Sequence, residues 1–505
     1  MRSFSLTFVS TTLIGAAFGS VINDPQVASF LKSKPLDGSS VRSLSLAERA
    51  AAGIKSRHLR PTVPDLVKRD SITPPDIGQI ATWAPGVQPQ PQRGAAGSTF
   101  GSADTSPEID AQNPDNVASP TTDAGVVPNL KWSFSLSHTR LLKGGWVREQ
   151  VIQDLPPYFA AAELRLEPNA YRELSCPVNI YQYYECPNSH WHRVAEWGYI
   201  LNGTGRISAI DEDGKSFISD IQGPTDGEDP DIYYFPPGVP HSIQALSTGL
   251  EILVLFGDGD FDKLGTTFML SDWLAHTPLS IVSQNLGINI SELAIIPQKD
   301  PYIIQATKPP APLGHAADDA PKSPEGEVPN PFVFRLKDQE KQLAKGGGGW
   351  VKIQDSTNFA ASKTVASALV FIEPNGLREL HWHTVDGLLC FTSLAHCVDK
   401  DALEWLYIIH GKGRATAFAG GSTARTFDFQ VGDTGVFPIS YGHYIKNLSP
   451  TEPLIYLEIF KSDRFVDFSA TQWLALTPPQ VVADLLNISL ATVESLKKEK
   501  QYVVA

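Results

Sequence analysis

Histidine and glutamate residues recur in this chain with a spacing that is suited to a metal ion. In His190-Trp191-His192 the imidazoles are two residues apart, so on a β-strand both point to the same face. Glu196 follows, and His241 comes after a Pro-Pro-Gly-Val-Pro turn. Three imidazoles and one carboxylate suit a divalent metal. With four protein ligands an octahedral ion keeps two positions free for substrate or dioxygen, which favours manganese or iron over structural zinc.

The same set of residues occurs a second time. Its members are His381, His383, Glu404 and His443. A lone strand histidine is usually a core residue, but here six of the chain's 12 histidines recur in the same order. An arginine precedes each set, because Arg172 and Arg378 each begin an Arg-Glu-Leu sequence. Beside a metal, such an arginine can hold a small carboxylate through two hydrogen bonds. The alternative is a salt bridge at the rim of the site.

The two sets belong to a longer internal repeat. Blocks of sequence recur in the same order at a spacing of about 200 residues. They include KGGWVREQ at 143–150 with GGGWVKIQ at 347–354, LRLEPNAYREL at 164–174 with LVFIEPNGLREL at 369–380, and YFPPGVPHSI at 234–243 with VFPISYGHYI at 436–445. A further pair is WLAHTP at 273–278 with WLALTP at 473–478. The chain is therefore a tandem duplication of one domain.

Each copy is rich in short runs that alternate apolar and polar residues, such as 426–438 and 454–460. This pattern, punctuated by Gly, Pro, Asn and Asp, is typical of antiparallel strands in a barrel or jelly roll. Each copy ends in a stretch with helical periodicity, at 279–296 and 479–498. We therefore expect an all-β protein of two tandem barrels with short flanking α-helices.

The composition along the chain predicts six segments. They are a signal peptide at 1–19, a pro-segment at 20–69 ending in Lys68-Arg69, a Pro/Gly/Ser-rich extension at 70–128, domain 1 at 129–298, a Pro-rich linker at 299–331 and domain 2 at 332–505.

The charge and the leader restrict the possible partners and location. A net charge of −14 argues against binding to nucleic acid or to anionic lipid. After the leader, no run is long and apolar enough to span a bilayer, so we expect no membrane partner. The leader, together with the Asn-x-Ser/Thr acceptors at Asn202, Asn289, Asn447 and Asn487, predicts a secreted glycoprotein.

The order of these motifs resembles that of a known family. GGW, REL, HWH, EW, FP followed by His, and WLA-x-TP, present in both copies, are similar to the bicupin oxalate decarboxylases of bacteria and fungi. The stretch at 113–146 resembles the family's approach to its first barrel, and the resemblance covers about residues 106–500. It implies two cupin domains, which are double-stranded β-helix barrels of the jelly-roll type.

The resemblance also implies a reaction and its cofactors. Each barrel would hold one Mn²⁺ ion, oxalate would be cleaved to formate and carbon dioxide, and O₂ would serve as a cofactor without net oxidation. Arg172 would orient and polarise oxalate, Arg378 would be its counterpart in copy two, and Glu458 falls where the family has a second-site carboxylate suited to proton transfer. Members of the family commonly form trimers or pairs of trimers.

The chain departs from the family pattern in the loop that covers the first site. Where the bacterial family has a Ser-Glu-Asn-Ser loop with a proton-donating glutamate, this chain reads DFDKLGTTF at 260–268. Lys263 aligns with that glutamate, and Asp262 precedes it. Asp262 is our candidate proton donor, and a solvated loop aspartate is the alternative.

Two further functions have to be considered. One is an oxalate oxidase on the same scaffold that gives carbon dioxide and hydrogen peroxide, because proton donation to the formyl radical separates the two outcomes. The other is a non-enzymatic cupin, such as a storage or sugar-binding protein. Two complete ligand sets argue against the non-enzymatic alternative.

The two copies fail to align in only two places, and all four cysteines lie there. In a secreted protein, Cys176–Cys186 and Cys390–Cys397 would be read as local disulfide loops. However, deleting residues 175–189 restores the Arg-Glu-Leu-His-Trp-His of copy two. Deleting residues 385–400 restores the family's second-barrel spacing, and a segment from Val to Lys can have the GT and AG ends of an intron. We therefore favour translated introns over disulfide loops.

Sequencing the cDNA tests this interpretation. We expect a spliced transcript that lacks the codons for residues 175–189 and 385–400 in frame, because both deletions restore the register of the repeat. A mature transcript that keeps both segments would contradict the intron interpretation and favour disulfide loops.

Overall fold

The computed structural model describes residues 123–155, 159–172, 190–296, 303–384 and 403–505, and a two-stranded ribbon of β1 (Gln92–Gly94) and β2 (Gly97–Thr99). The predicted signal peptide and pro-segment, most of the extension and both inserted stretches lie outside these residues. So do the two disulfides considered above, Cys176–Cys186 and Cys390–Cys397. In the described part of the chain, no helix is long and apolar enough to cross a membrane.

The strands of the first barrel are antiparallel, and β6 and β11 are buried along nearly their whole length. In chain order they are β4 (Thr139–Leu142), β5 (Gly145–Gln150), β6 (Ala160–Leu166), β7 (Ala170–Arg172), β8 (His190–His192), β9 (Glu196–Ile210), β10 (Ser216–Gln222), β11 (Asp231–Phe235), β12 (His241–Phe256), β13 (Thr267–Met269) and β14 (Ile303–Gln305). Because β9 and β12 are long enough to run through both faces of the barrel, all of these strands belong to one antiparallel sheet.

The second barrel consists of two sheets. Its strands are β16 (Gln342–Leu343), β17 (Gly349–Gln354), β18 (Ala366–Ile372), β19 (Leu377–His383), β20 (Leu403–His410), β21 (Lys412–Gly420), β22 (Thr423–Gln430), β23 (Asp433–Pro438), β24 (His443–Asn447), β25 (Leu454–Phe460), β26 (Asp467–Ser469) and β27 (Val503–Val504). One sheet has the order β16-β17-β18-β25-β20-β23, and the other has the order β22-β21-β24-β19-β26, with β27 beside β19.

Three short helices follow the last long strand of each barrel. They are α1 (Leu270–Ala275), α2 (Leu279–Leu286) and α3 (Ile290–Leu293) in the first copy, and α4 (Ala470–Leu476), α5 (Pro479–Leu486) and α6 (Leu490–Glu494) in the second. Short 3-10 turns occur at Phe134–Leu136, Ala316–Asp319 and Leu336–Asp338. The described chain is thus mainly β-structure with few helices, which confirms the predicted fold class.

Some of the repeated motifs are structural. In the Gly-Gly-Trp motifs Gly145 and Gly349 have φ of 153° and 154°, and a Cβ atom on either would lie 1.9 Å from a backbone carbonyl oxygen of the neighbouring strand. In the Glu-Pro-Asn motifs Asn169 and Asn375 adopt a left-handed conformation, which asparagine tolerates better than most residues. These motifs recur because the barrel turns require them.

The strand that precedes each barrel in the chain pairs with a strand of the other barrel. The strand before the first barrel, β3 (Lys131–Ser133), pairs with β23 of the second barrel. The strand before the second barrel, β15 (Val333–Arg335), pairs with β11 of the first barrel. A fully buried ion pair between Lys131 and Asp433, 2.8 Å apart, anchors the first pairing. The predicted boundaries at 129 and 332 therefore separate sequence repeats, while the strands next to them complete the opposite barrel.

The predicted linker at 299–331 packs against the first barrel along part of its length. Strand β14 lies inside it and pairs with β7, and Asp319 forms an ion pair with the buried Arg206 of β9.

The predicted glycan acceptors differ in exposure. Asn202, Asn289 and Asn487 are exposed. Asn447 is only 1 % exposed, and its amide nitrogen donates to the backbone carbonyls of Ile372, Glu373 and Glu452. The prediction of an acceptor at Asn447 is therefore wrong for the folded protein, because its reactive nitrogen is buried and fully hydrogen-bonded.

Candidate functional site

The first histidine cluster is assembled by pairing between strands. On the antiparallel ladder His190 of β8 lies directly opposite His241 of β12, and His192 lies opposite Thr267 of β13. Glu196 begins β9 and reaches the same point inside the barrel. One ligand atom from each of the four predicted residues lies within 4.8 Å of the others, and all four residues are buried. The structure thus brings the whole predicted set together.

The second cluster repeats this arrangement. His381 of β19 lies opposite His443 of β24, and His383 lies opposite Asp467 of β26. Glu404 of β20 completes the set, again with its ligand atom within 4.8 Å of the others and all four residues buried. Each barrel therefore contains one closed group of three imidazoles and one carboxylate.

The hydrogen bonds of the imidazoles suit a bound cation. Backbone carbonyls accept from Nδ1 of four histidines, at 2.7–2.9 Å, so these rings carry their proton on Nδ1. The four are His241, His381, His383 and His443. On these four rings Nε2 is the atom that points into the cluster, and among the described residues those of His381, His383 and His443 have no hydrogen-bond partner. This is how metal-binding histidines are oriented in proteins.

Glu196 connects the first cluster to its arginine. Its Oε1 accepts from Arg172 Nη1 at 3.1 Å and from the Tyr233 hydroxyl at 2.7 Å. Its Oε2 lies 2.9 Å from His192 Nε2 and 3.4 Å from His241 Nε2. Burial alone would raise the pKa of Glu196, but Arg172 and the imidazoles hold it well below its usual range. Glu196 is therefore an anionic ligand.

The first inserted stretch leaves Arg172 in place. Arg172 pairs with Ile243 and His190 with His241, so the two ends of the insertion are adjacent to the same strand, β12. The uninterrupted second copy has the same register, with Arg378 opposite Ile445 and His381 opposite His443. An insertion at this point would displace the arginine unless the chain on both sides of it stayed in register. Arg172 and His190, the described residues on the two sides, keep the register of the second copy.

Arg172 is a buried cation with unused donors. It is 1 % exposed, and its Nε and Nη2 have no hydrogen-bond partner among the described residues. In the second barrel Arg378 contacts the acids Glu458 and Asp467. The residues at the same register positions of the first barrel are Val254 and Thr267, and neither carries a charge. A buried guanidinium with open donors fits an anionic ligand that is small and planar.

Arg378 has a different environment. Its Nε donates to Glu458 at 3.0 Å, its Nη2 to Asp467 at 2.7 Å, and its Nη1 to the carbonyl of Tyr502 at 3.3 Å. Glu458 also accepts from the Tyr456 hydroxyl at 2.8 Å. The structure thus brings the predicted Glu458 into contact with Arg378, and the proton-transfer role of Glu458 stays a prediction. Each of the three guanidinium nitrogens of Arg378 has a hydrogen-bond acceptor.

Sequence reasoning missed four residues of these sites. They are Tyr233, Tyr456, Asp467 and Lys500. Tyr456 could have been found from the alternation of β25, since it lies two residues before Glu458 on the same face. Asp467 and Lys500 carried no motif, because their roles depend on how β26 and the C-terminal segment pack.

The acids of the second site act on His383, whereas burial, with Arg378, keeps the pKa of His381 well below its usual value. Burial lowers the pKa of His192 to about 4 and that of His190 well below its usual value. Burial acts in the same direction on His383, but Glu404, with smaller effects of Glu458 and Asp467, raises its pKa. Asp467 itself has a pKa of about 2, because Arg378 and Lys500 outweigh its burial. The second site is therefore richer in negative charge.

The loop over the first site places its two candidate residues differently. Phe261 packs on the His192 ring, with centroids 5.4 Å apart, and Thr266 closes the loop by donating to Phe261 O at 2.5 Å. Lys263 is exposed and pairs with Asp260 at 2.9 Å. Asp262 is half-buried, and its Oδ1 is buried with no hydrogen-bond partner among the described residues. Burial raises its pKa.

Known proteins share these features. The sequence profile of the cupin family matches residues 188–293 and 396–494. Both ranges begin near the end of an inserted stretch. Oxalate decarboxylase OxdC of Bacillus subtilis is 44% identical over 418 residues, which cover 82% of this chain and 97% of that protein. An oxalate decarboxylase of Arthroderma benhamiae is 40% identical over 446 residues, covering 83% of this chain and 94% of that protein.

Solved structures agree with the sequence relatives. The Bacillus subtilis oxalate decarboxylase at pH 4.6 superposes with a TM-score of 0.68 at 43% identity, covering 82% of this chain and 97% of that one. A second structure of that enzyme, described by its Mn(II) centres, gives the same TM-score and identity over 82% of this chain and 99% of that one. The chain therefore belongs to the bicupin oxalate decarboxylase family, within the cupins.

The lowered pKa of His192 predicts how the metal-free protein responds to acid. The unfolded chain takes up this proton near pH 6.5, whereas the folded site does so only near pH 4, so stability falls as the pH falls between these values. This single group corresponds to about 3 kcal/mol. Chemical unfolding of chelator-treated protein at pH 7 and pH 4.5 measures the loss.

His192→Gln removes the titrating group and serves as the control. It should lose clearly less stability than the wild type over the same pH range. An equal loss in both proteins would mean that His192 is not buried as a neutral imidazole.

Proposed function

We propose that this protein is a manganese-dependent oxalate decarboxylase that produces formate and carbon dioxide, with O₂ as a cofactor, and that oxalate binds in the first barrel. The observation that carries the proposal is Arg172, a buried guanidinium whose Nε and Nη2 have no partner among the described residues, beside a complete ligand group. Oxalate is a small planar dianion or monoanion, and its carboxylate matches those donors. The named activity of the relatives supports the same reaction.

The ligand groups suit manganese or iron, and the relatives favour manganese. His190, His192, Glu196 and His241 would hold one ion, and His381, His383, Glu404 and His443 the other. Neutral imidazoles with one carboxylate suit Mn²⁺, and the Bacillus subtilis relative has Mn(II) centres. When bound, the ion supplies a Lewis acid with open positions and access to a second oxidation state. Metal analysis should find two Mn per chain; less than one would favour a non-enzymatic cupin.

The protein's own residues orient the substrate and keep its charge balanced. Arg172 can donate through Nε and Nη2 to a carboxylate while its Nη1 holds Glu196. Tyr233 donates to the same carboxylate oxygen of Glu196, which keeps that oxygen from competing for the free donors. The oxalate carbon that faces Arg172 would therefore be polarised by a fixed positive charge in a buried site.

Proton delivery decides between the two oxalate activities. A carbon that has lost carbon dioxide needs a proton to leave as formate, and Asp262 is the half-buried acid of the loop over the first site. Burial raises its pKa, which favours the protonated form that a donor needs. Lys263, which aligns with the family's glutamate, is exposed and paired with Asp260. An oxalate oxidase is the second candidate, favoured if Asp262 does not deliver the proton.

We further propose that the protein is secreted and assembles into a trimer or a pair of trimers. The leader at 1–19 and the exposed acceptors Asn202, Asn289 and Asn487 support secretion. Large apolar side chains exposed on the helices support assembly, such as Trp273 and Trp473. N-terminal sequencing of the exported protein, with light scattering of the purified protein, tests both points. A monomer that starts at Met1 would contradict them.

Arg172→Lys tests the substrate role. Lysine keeps the charge but loses the planar pair of donors, so we expect kcat/KM for oxalate to fall about 100-fold, with both Mn ions retained. Arg206→Lys is a matched control, since Arg206 is a buried arginine that pairs with Asp220 and Asp319, away from the ligand groups. Equal losses in both variants would contradict the role of Arg172.

Asp262→Asn tests proton delivery. We expect formate production to fall at least about tenfold while the share of oxalate converted to hydrogen peroxide rises, because the asparagine cannot donate the proton. One assay measures formate and peroxide together. Asp260→Asn, in the same loop but exposed, should leave the ratio of products unchanged. An unchanged ratio in Asp262→Asn would assign the proton to another group.

A further inference from the structure

The C-terminal segment of the chain covers the arginine of the second site. Strand β27 pairs with β19, so that Val503 lies opposite Arg378, and Val503 is fully buried. The carbonyl of Tyr502 accepts from both Arg378 Nη1 and the backbone N–H of Glu379. The amide nitrogens of Gln501 and Tyr502 donate to the Glu379 carboxylate. Residues 500–504 are therefore attached to the strand that carries the second site.

Lys500 holds the aspartate that occupies Arg378. Its ammonium donates to the Asp467 backbone carbonyl at 2.7 Å and forms an ion pair with Asp467 Oδ1. The other oxygen, Oδ2, accepts from Arg378 Nη2 at 2.7 Å. Asp467 thus lies between two cations, one from the barrel and one from the C-terminal segment. This chain of contacts fixes the carboxylate on the guanidinium.

The first site has a neutral residue in the corresponding position. Thr267 lies opposite His192 on the same register as Asp467 opposite His383. Its hydroxyl contacts His192 Nδ1 at 2.9 Å, and Arg172 keeps Nε and Nη2 unpaired among the described residues. The two arginines therefore differ in what surrounds them, although their place on the barrel strands is the same.

We propose that Asp467, held in place by Lys500 of the C-terminal segment, is a specificity-determining residue that keeps carboxylate anions out of the second site. With Glu458, it already supplies the carboxylates that an incoming anion would have to displace. A second carboxylate in that position also repels the anion at close range. The second centre then holds its ion without binding substrate. This inference rests on the proposed function in one respect, which is the choice of small carboxylates as the anions that are kept out.

Formate binding tests the proposal without turnover. Equilibrium dialysis with labelled formate should give one formate per chain for the manganese-loaded wild type and none for Arg172→Lys. In the Arg172→Lys background, Glu458→Val with Asp467→Thr gives the second site the residues of the first, and one formate per chain should return. No binding by this variant, when it is folded and carries two Mn, would overturn the proposal.

The variant with Glu458→Val and Asp467→Thr leaves the buried Arg378 without acids, and this can prevent folding. A substitution in the first site tests the proposal in that case. Thr267→Asp places the second-site carboxylate in the first site and should weaken formate binding about tenfold or more. The neutral Thr267→Asn, which has a side chain of the same size as aspartate, should bind formate at least about tenfold more tightly than Thr267→Asp when both keep their Mn. Equal binding by the two variants would also overturn the proposal.

Lys500→Ala tests the part played by the C-terminal segment. The backbone amides of β27 should exchange with solvent at least about tenfold faster, because the segment loses its ion pair with Asp467. Lys498→Ala, an exposed lysine two residues away, should leave the exchange unchanged. Equal exchange in both variants would remove Lys500 from the proposal. If the wild type binds one formate but makes none from oxalate, the proposed reaction fails and the role of Asp467 stands.

Discussion

Two histidines that face each other across an antiparallel ladder are the constraint on which both sites depend. His190 lies opposite His241, and His381 lies opposite His443. In each pair the ring centroids are 4.2 Å apart, so their nitrogens converge on one point. A shift of one residue in either ladder would turn one ring of the pair to the outside of the barrel.

The same scaffold supports two different electrostatic environments. In the first barrel Arg172 pairs only with Glu196 among the acids described, and two of its nitrogens stay open. In the second barrel Arg378 pairs with Glu458 and Asp467. The two copies differ here at two aligned positions, since Val254 and Thr267 stand where these acids lie in the other copy.

The two barrels are not independent structures. Each completes its sheet with a strand that precedes the other, and the buried pair of Lys131 and Asp433 ties one of these strands to its host. Across the same interface the Trp405 indole donates to Gln150 at 3.1 Å, and Trp405 is next to the ligand Glu404. Loss of structure in one barrel would thus reach the ligands of the other. The assignment of β3 and β15 to opposite barrels has no signal in the sequence.

The sequence by itself determined the ligands of both sites. The eight ligands, the two arginines and the all-β barrels follow from residue type, strand periodicity and repetition, which are local or periodic properties of the chain. The fold, and not the pattern of residues, makes the two arginines differ: in the described part of the chain Arg172 Nε and Nη2 have no partner, whereas every nitrogen of Arg378 has one, because Thr267 and Asp467 reach the two sites from distant strands. Lys500 acts only because the C-terminal segment folds back onto β19. Charge pairs between segments far apart in the chain leave no periodic pattern in the sequence. Sequence patterns therefore predict the ligands, whereas the fold determines which charged residues lie beside them.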